Sequence, residues 1–156
     1  MVIIISGTPG TGKTTLARRL AKELKHKLVD VNKLIKEKSL SEGYDKERKC
    51  EIVDTKRLNK ELIKLIKKDK RLVIDSHLSH YLPKKYVDFC IITKCELKEL
   101  EKRLKRKSYS KAKIREDLDV EIFDTFRIEA LEAGHKVVVV DTSKGYDIDK
   151  IVKELR

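Results

Sequence analysis

Short apolar runs alternate with amphipathic stretches along this chain. Residues 2–5, Val2-Ile3-Ile4-Ile5, are apolar at every position, the pattern of a strand buried on both faces. From Lys13 onward Leu16, Leu20 and Leu24 recur at every fourth position, the apolar stripe of a helix. Residues 28–31 predict a brief second strand and residues 32–38 a short helix. Residues 40–51, which contain Gly43-Tyr44-Asp45, are polar and predict an irregular connection. Asp54 is placed to cap a helix running to Lys70, with Leu58, Leu62, Leu65 and Ile66 as its stripe. Strands follow at 72–75 and 89–92, then a helix at 96–106 and a longer one from 111 to 133, ended by Gly134. A fifth strand at 137–141 and a helix at 148–155 close the chain. Five near-continuous apolar strands separated by helices predict an α/β fold with a five-stranded parallel sheet covered on both faces.

Between the first strand and the first helix, residues 7–14 read Gly7-Thr8-Pro9-Gly10-Thr11-Gly12-Lys13-Thr14, a complete G-x-x-x-x-G-K-[ST] loop. The glycines let the backbone turn its N–H groups around phosphates, Lys13 supplies a point charge, and Thr14 offers a hydroxyl to Mg²⁺. The helix that follows aims its positive end at the same place. Chance brings the four fixed positions together roughly once in a few hundred chains of this length. The strand before and the helix after match the motif's context. The chain is expected to bind a nucleoside triphosphate.

Asp75 ends the third strand, where an acidic residue holds Mg²⁺ directly or through water. It continues into Ser76-His77-Leu78-Ser79-His80, so Asp75, His77 and His80 also raise the question of zinc. With no fourth ligand spaced nearby, Mg²⁺ is the better account of Asp75. His77 is either a polar loop residue or a group that positions water or phosphate beside the metal. Arg103 and Arg106 lie three apart on one helix face, and Arg115 follows the polar turn Lys107-Ser108-Tyr109-Ser110. Arginines flanking a mobile turn suit phosphoryl transfer, which needs cations that close over the migrating group. Arg127 is a further candidate.

Composition narrows the setting. The 156 residues suffice for one domain, and no apolar run approaches a membrane span. The first apolar stretch runs straight into the phosphate loop, so no signal peptide is expected. Cys50, Cys90 and Cys95 have no paired spacing, which favours a reduced, cytoplasmic setting without disulfides. Charged residues make up 41% of the chain, mostly Lys and Glu, as on a hyperthermophile surface or through lineage drift. The net charge of +12 fits a polyanion such as RNA, or a nucleotide site in a lysine-rich chain. Basic residues cluster at 67–71 and 102–107, while aromatics, at 5%, leave few surfaces for stacking bases.

Taken together, several segments resemble a small P-loop family variously called adenylate kinase isoenzyme six, coilin-interacting nuclear ATPase, or the small-subunit assembly ATPase of archaea and eukaryotes. They are residues 7–15 (Gly7 to Thr15), Glu42-Gly43-Tyr44-Asp45, Asp75-Ser76-His77, Leu82-Pro83 and Glu121-Ile122-Phe123, in order along nearly the whole chain. The resemblance implies a nucleoside monophosphate kinase-like P-loop NTPase fold, with strand order 2-3-1-4-5 by analogy with nucleotide kinases. It implies Mg²⁺-ATP as donor, AMP as acceptor and a weak ATPase activity. It also implies small-subunit ribosomal protein eleven as a partner and a role in maturing small-subunit rRNA. By the same resemblance, residues 30–70 hold the acceptor and residues 103–117 form a lid. Catalysis falls to Lys13, Asp75, His77, Arg103 and Arg106, and metal binding to Thr14 and Asp75. ATP is then held by Gly7, Pro9, Gly10, Thr11, Gly12, Lys13, Thr14, Thr15, Arg103 and Thr142. The chain departs from the family pattern at Ser76 (often aromatic), Lys36 and Lys107 (arginines) and Asp117 (often Asn). Two functions stay open: an AMP kinase, or an assembly factor whose ATP cycle switches its grip on a ribosomal protein and RNA. For such a partner the acidic run from Glu116 to Glu121 is the candidate surface, unless it is an ordinary solvated helix face.

Overall fold

The structure, a computed structural model, describes residues 1–48 and 50–156, so position 49 of the expected irregular connection lies outside the described residues. The elements run β1 (Val2–Gly7), α1 (Lys13–Leu24), β2 (Lys27–Asp30), α2 (Val31–Glu37), β3 (Ser41–Asp45), β4 (Cys50–Val53) and α3 (Thr55–Lys68). They continue with β5 (Leu72–Asp75), β6 (Phe89–Lys94), α4 (Leu97–Arg106), α5 (Lys111–Ile122), α6 (Thr125–Glu132), β7 (Val137–Asp141) and α7 (Ile148–Glu154). Two single 3₁₀ turns, Ser79–Tyr81 and Lys84–Tyr86, join β5 to β6.

Five strands pair in parallel in the order β2-β5-β1-β6-β7. Numbered within this sheet alone, that is the expected 2-3-1-4-5. Alternate residues of β1 serve opposite layers. Ile4, with Val2, packs against Leu34 and Ile35 of α2, Leu58, Leu62 and Ile66 of α3, and Ala130 of α6. Ile3 and Ile5 pack against Leu16, Ala17 and Leu20 of α1 and Ile151 and Val152 of α7. Each fully buried leucine or isoleucine contributes about 1.5–3 kcal/mol, which holds β1 at the centre of the sandwich. A smaller cluster, Cys95, Leu100 and Leu104 with Ile114 and Leu118, joins α4 to α5. Among the described residues no helix is long and apolar enough to cross a membrane.

Three expectations need correction. The stretch at 40–51 is not irregular: β3 and β4 pair antiparallel as a separate hairpin, with a register shift between Ser41 and Gly43. Gly43 and the exposed polar positions hide the strand period from a sequence reading. The single helix expected over 111–133 is two, because Asp124 adopts a left-handed conformation with φ 56°. Aspartate tolerates that conformation better than most residues, and here ion pairs to Lys94 and Arg127 hold it. Finally, cover of the fifth strand is incomplete: Val137 packs into one layer and Val138 and Val140 into the other, but Val139 is exposed.

Candidate functional site

The turn after β1 presents backbone to the space above it. Gly7 has φ 144°, and a Cβ there would meet the Thr93 hydroxyl at 2.4 Å, so a side chain is excluded by both conformation and contact. Gly12, with φ 86°, precedes α1, and none of the described side chains caps that helix end. Its first N–H groups are therefore available to an anion. Thr11 stiffens the loop from below: its hydroxyl lies 2.6 Å from both the Thr8 carbonyl and the Thr93 hydroxyl. Gly7 and Thr11 thus form the frame, while Pro9, Gly10, Gly12, Lys13, Thr14 and Thr15 line the open cleft.

Lys13 reaches back over this loop, donating to the carbonyls of Gly7 at 2.9 Å and Thr8 at 3.2 Å. Burial lowers its pKa to about 8, against the opposing pull of Asp75. Asp75 sits at the carboxyl end of β5, beside the end of β1. Burial raises its carboxyl above the ordinary range, although a hydrogen bond with Thr14 and the charge of Lys13 oppose the shift. These are hard oxygen donors beside a phosphate loop, the donor set that suits Mg²⁺. His77 also lines the cleft and is exposed to it; the cleft walls withdraw its ring from bulk water, and this, then Lys13 and Lys113, lowers its pKa to about 4. Its ring is neutral at pH 7. His80 does not join that group. It is buried with Nδ1 2.8 Å from Ser6 Oγ and Nε2 2.6 Å from Glu129, so both nitrogens are engaged in the interior.

Arg103 and Thr142 are brought together at the loop. The guanidinium donates to the Thr142 hydroxyl at 3.1 Å, to the Thr142 carbonyl at 2.7 Å and to the Gly10 carbonyl at 3.5 Å. Thr142 in turn donates to the Thr11 carbonyl at 2.6 Å. Arg106 is exposed and lines the cleft, as does Lys107. The other two arginines are elsewhere: Arg115 pairs with Asp119, Arg127 pairs with Asp124, and neither lines the cleft.

The acidic run is not an exposed face. Asp117 and Glu121 are buried, leaving Glu116 and Asp119 half-buried and each paired with an arginine. Glu121 ties α5 to the loop: it accepts from the Thr8 hydroxyl at 3.1 Å, Lys94 Nζ at 2.8 Å and the Cys95 N–H at 2.8 Å. Asp117 pairs with Lys113 at 2.9 Å on the wall of the cleft. Reading the sequence for chemistry passed over Lys113 and the inward roles of these two carboxylates. Their spacing was the available signal, because Lys113, Asp117 and Glu121 recur every fourth residue and so share one helix face. The hairpin also supplies cleft residues that were not singled out, among them Arg48, Cys50 and Glu51. The whole cleft measures about 1090 Å³ and runs from the phosphate loop to α2 and the hairpin.

Comparison with known proteins places this geometry in a family. A family described as AAA domain matches residues 3–124. A protein of Pyrococcus furiosus named "Putative adenylate kinase" is 37% identical over 158 residues, covering 99% of this chain and 82% of the relative. The "Adenylate kinase isoenzyme 6 homolog" of Dictyostelium discoideum is 34% identical over 139 residues, covering 89% of this chain and 79% of the relative. A crystal structure described as a "putative kinase" from Chloroflexus aurantiacus superposes with a TM-score of 0.64 at 20% identity. It covers 99% of this chain and 96% of that one, a likeness of fold. By these matches and its loop geometry, the chain belongs to the AAA-domain family of P-loop proteins, among relatives that carry the adenylate kinase name.

Proposed function

We propose that this protein is an adenylate kinase, moving the γ-phosphoryl group of ATP to AMP and releasing two ADP. The observation that supports this most is the single cleft of about 1090 Å³ joining the phosphate loop to α2 and the β3–β4 hairpin. That volume stands at the top of the roughly 300–1,000 Å³ range of small-molecule pockets, and the lining extends from the phosphate loop to Lys36 and Arg48, which gives an acceptor its own end of the cleft beside the donor. The names of the relatives agree. In this reading residues 1–156 act as one kinase unit, residues 30–70 carry AMP, and residues 103–117 close as a lid over both nucleotides.

The loop amides and Lys13 hold the β- and γ-phosphates of ATP, with Arg103 and Thr142, which also line the cleft, bracing the loop through Gly10 and Thr11. Thr14 and Asp75 would hold Mg²⁺, which when bound offsets charge on the phosphate oxygens. The fit is chemical: a half-buried carboxyl with a raised pKa stands beside a threonine hydroxyl and the loop. The acceptor is already an anion, so no protein base is needed to activate it. Lys36 and Arg48 supply cleft cations on the acceptor side, and Arg106 and Lys107 supply them from the lid. His77, neutral and lining the cleft, orients water when AMP is absent, which gives a weak ATPase activity.

A second reading, an ATP-driven switch acting on ribosomal protein eleven and small-subunit rRNA in the cytoplasm, has its own support. The net charge of +12 favours a polyanion. Ile122 and Phe123 are 55% and 70% exposed immediately after Glu121, so an apolar contact is tied directly to the loop. The experiment that separates the readings measures ADP and phosphate from Mg²⁺-ATP with and without AMP. AMP-dependent formation of two ADP per ATP supports the kinase, and AMP-independent phosphate release alone supports the switch. Lys13→Ala should abolish both reactions while the protein stays folded, because its ammonium is the charge at the β- and γ-oxygens. Unchanged turnover in that variant would refute the P-loop mechanism.

A further inference from the structure

The inward face of α5 carries a buried ion pair that neither reading above uses. Lys113 and Asp117 face each other at 2.9 Å, with side chains 10% and 5% exposed, and both line the cleft. The Ser110 side chain caps α5 by accepting from the Lys113 N–H at 3.1 Å, which fixes Lys113 in the helix's first turn. Its ammonium lies 5.7 Å from the centre of the Tyr109 ring. The second carboxylate oxygen of Asp117, Oδ2, is buried without a hydrogen-bond partner among the described residues. A buried pair of this kind adds little net stability over apolar packing, and an unsatisfied oxygen makes it less favourable still. Its presence in the wall of a phosphate cleft therefore points to use rather than to packing.

The lining of the cleft locates Lys113 between the two substrate regions. Lys113 and Asp117 share that lining with Lys13 of the phosphate loop, with Asp75 and His77 at the end of β5, and with Arg48 and Cys50 of the hairpin. The elements reached are the phosphate loop, the end of β5 and the hairpin, which together surround the space between donor and acceptor. The arginines on α4 are less suited to that space. Arg103 is engaged by Thr142, Gly10 and Glu99, and Arg106 is exposed to solvent.

We infer that Lys113 is a further catalytic cation of this site, whose ammonium contacts the phosphoryl group in transit, with Asp117 as the positioning residue that holds it there. The inference rests on the kinase reading. In the transfer, the bond from the γ-phosphorus to the ADP oxygen breaks and a bond to an oxygen of the AMP phosphate forms. Lys113 keeps its proton and donates hydrogen bonds to the equatorial oxygens, over which charge is spread in the transition state. A cation removed from water acts more strongly there than an exposed one.

The test uses the full chain with Lys113→Met, Lys113→Arg, Asp117→Asn and the double variant Lys113→Met/Asp117→Asn. Methionine keeps much of the apolar stem, and the double variant leaves no buried unpaired charge, so folding is preserved in at least one arm. Two readouts are taken: kcat and KM for ATP with AMP, and the gain in ADP affinity when Mg²⁺ and aluminium fluoride, a mimic of the phosphoryl group in transit, are added. The expected result is a loss in kcat of about 10²-fold in Lys113→Met with KM for ATP little changed, and loss of the aluminium fluoride gain. Partial recovery is expected in Lys113→Arg and none in the double variant. If Lys113 served only to satisfy Asp117, the double variant would regain wild-type kcat, and that result overturns the inference. A wild-type protein that releases phosphate without phosphorylating AMP sinks the kinase reading alone, since loss of that hydrolysis and of the aluminium fluoride gain in Lys113→Met still upholds the cation. Wild-type behaviour of Lys113→Met in both readouts overturns the inference and leaves the kinase reading standing.

Discussion

His77 follows Asp75 by two residues and, though exposed to the open cleft, carries a ring that desolvation by the cleft walls and the charges of Lys13 and Lys113 keep neutral at pH 7, with a pKa of about 4. A neutral ring can orient a water without adding charge to an already cationic cleft. His77→Ala should therefore depress ATP hydrolysis by roughly tenfold while AMP phosphorylation falls less than about threefold, because bound AMP is oriented by its own contacts. Equal losses in the two assays would make His77 a support for Asp75 instead. His80, three residues on, has a structural role that pH should expose. Burial lowers its pKa below 6.5, against the pull of Glu129, with His135 adding to the lowering. The unfolded chain therefore binds a proton at a pH where the folded one does not. The stability that neutral His80 contributes is complete above about pH 6.5 and is lost as pH falls toward its folded pKa. Thermal unfolding at pH 7.5 and 5.0 should show a smaller acid-side drop for His80→Gln than for the wild type. His77 titrates in the same direction in both proteins, so the difference isolates His80. An identical drop would show that His80 takes no part.

Elements carry the chemistry that single residues do not reveal. The β3–β4 hairpin lies outside the main sheet, and Arg48 at its turn reaches Glu116 on α5 at 3.2 Å. With side chains 59% and 42% exposed, that pair is worth at most about 1 kcal/mol. Its position at the cleft matters more than its strength. Arg48→Ala should leave the melting temperature nearly unchanged, raise KM for AMP several-fold and leave KM for ATP alone; a matching rise for ATP would place Arg48 at the donor instead. Helix α5 shows why part of the site was hard to read. Leu118 and Ile114 pack toward α4 in the ordinary way, but the adjoining stripe of Lys113, Asp117 and Glu121 is polar and still faces inward. A hydrophobic pattern assigns such a stripe to solvent. Only the arrival of Thr8, Lys94 and the Cys95 amide from distant parts of the chain makes burial of Glu121 possible.

At the scale of the whole molecule, two apolar layers on a central strand set the stability. Leu62 is fully buried in one of them, and Leu62→Ala should lower unfolding stability by about 2–5 kcal/mol in denaturant titration. Leu97→Ala, 41% exposed at the start of α4, should stay within about 0.5 kcal/mol of the wild type. A small effect at Leu62 would mean that the layer relaxes to fill the space. The sequence alone determined the parallel sheet, the phosphate loop and the placement of Asp75, because each rests on local spacing or an unbroken apolar run; the strand order came only by analogy with nucleotide kinases. It also identified Asp54 as the cap of α3, whose side chain accepts from the Lys56 N–H. The tertiary structure alone decided the hairpin, the break at Asp124 and the inward face of α5. The last two depend on polar groups that meet across the fold, the Thr8 hydroxyl with Glu121, 113 positions apart, and Lys94 with Asp124, whereas the hairpin is hidden by Gly43 and its exposed polar positions. No local pattern encodes which distant partner makes a buried charge tolerable.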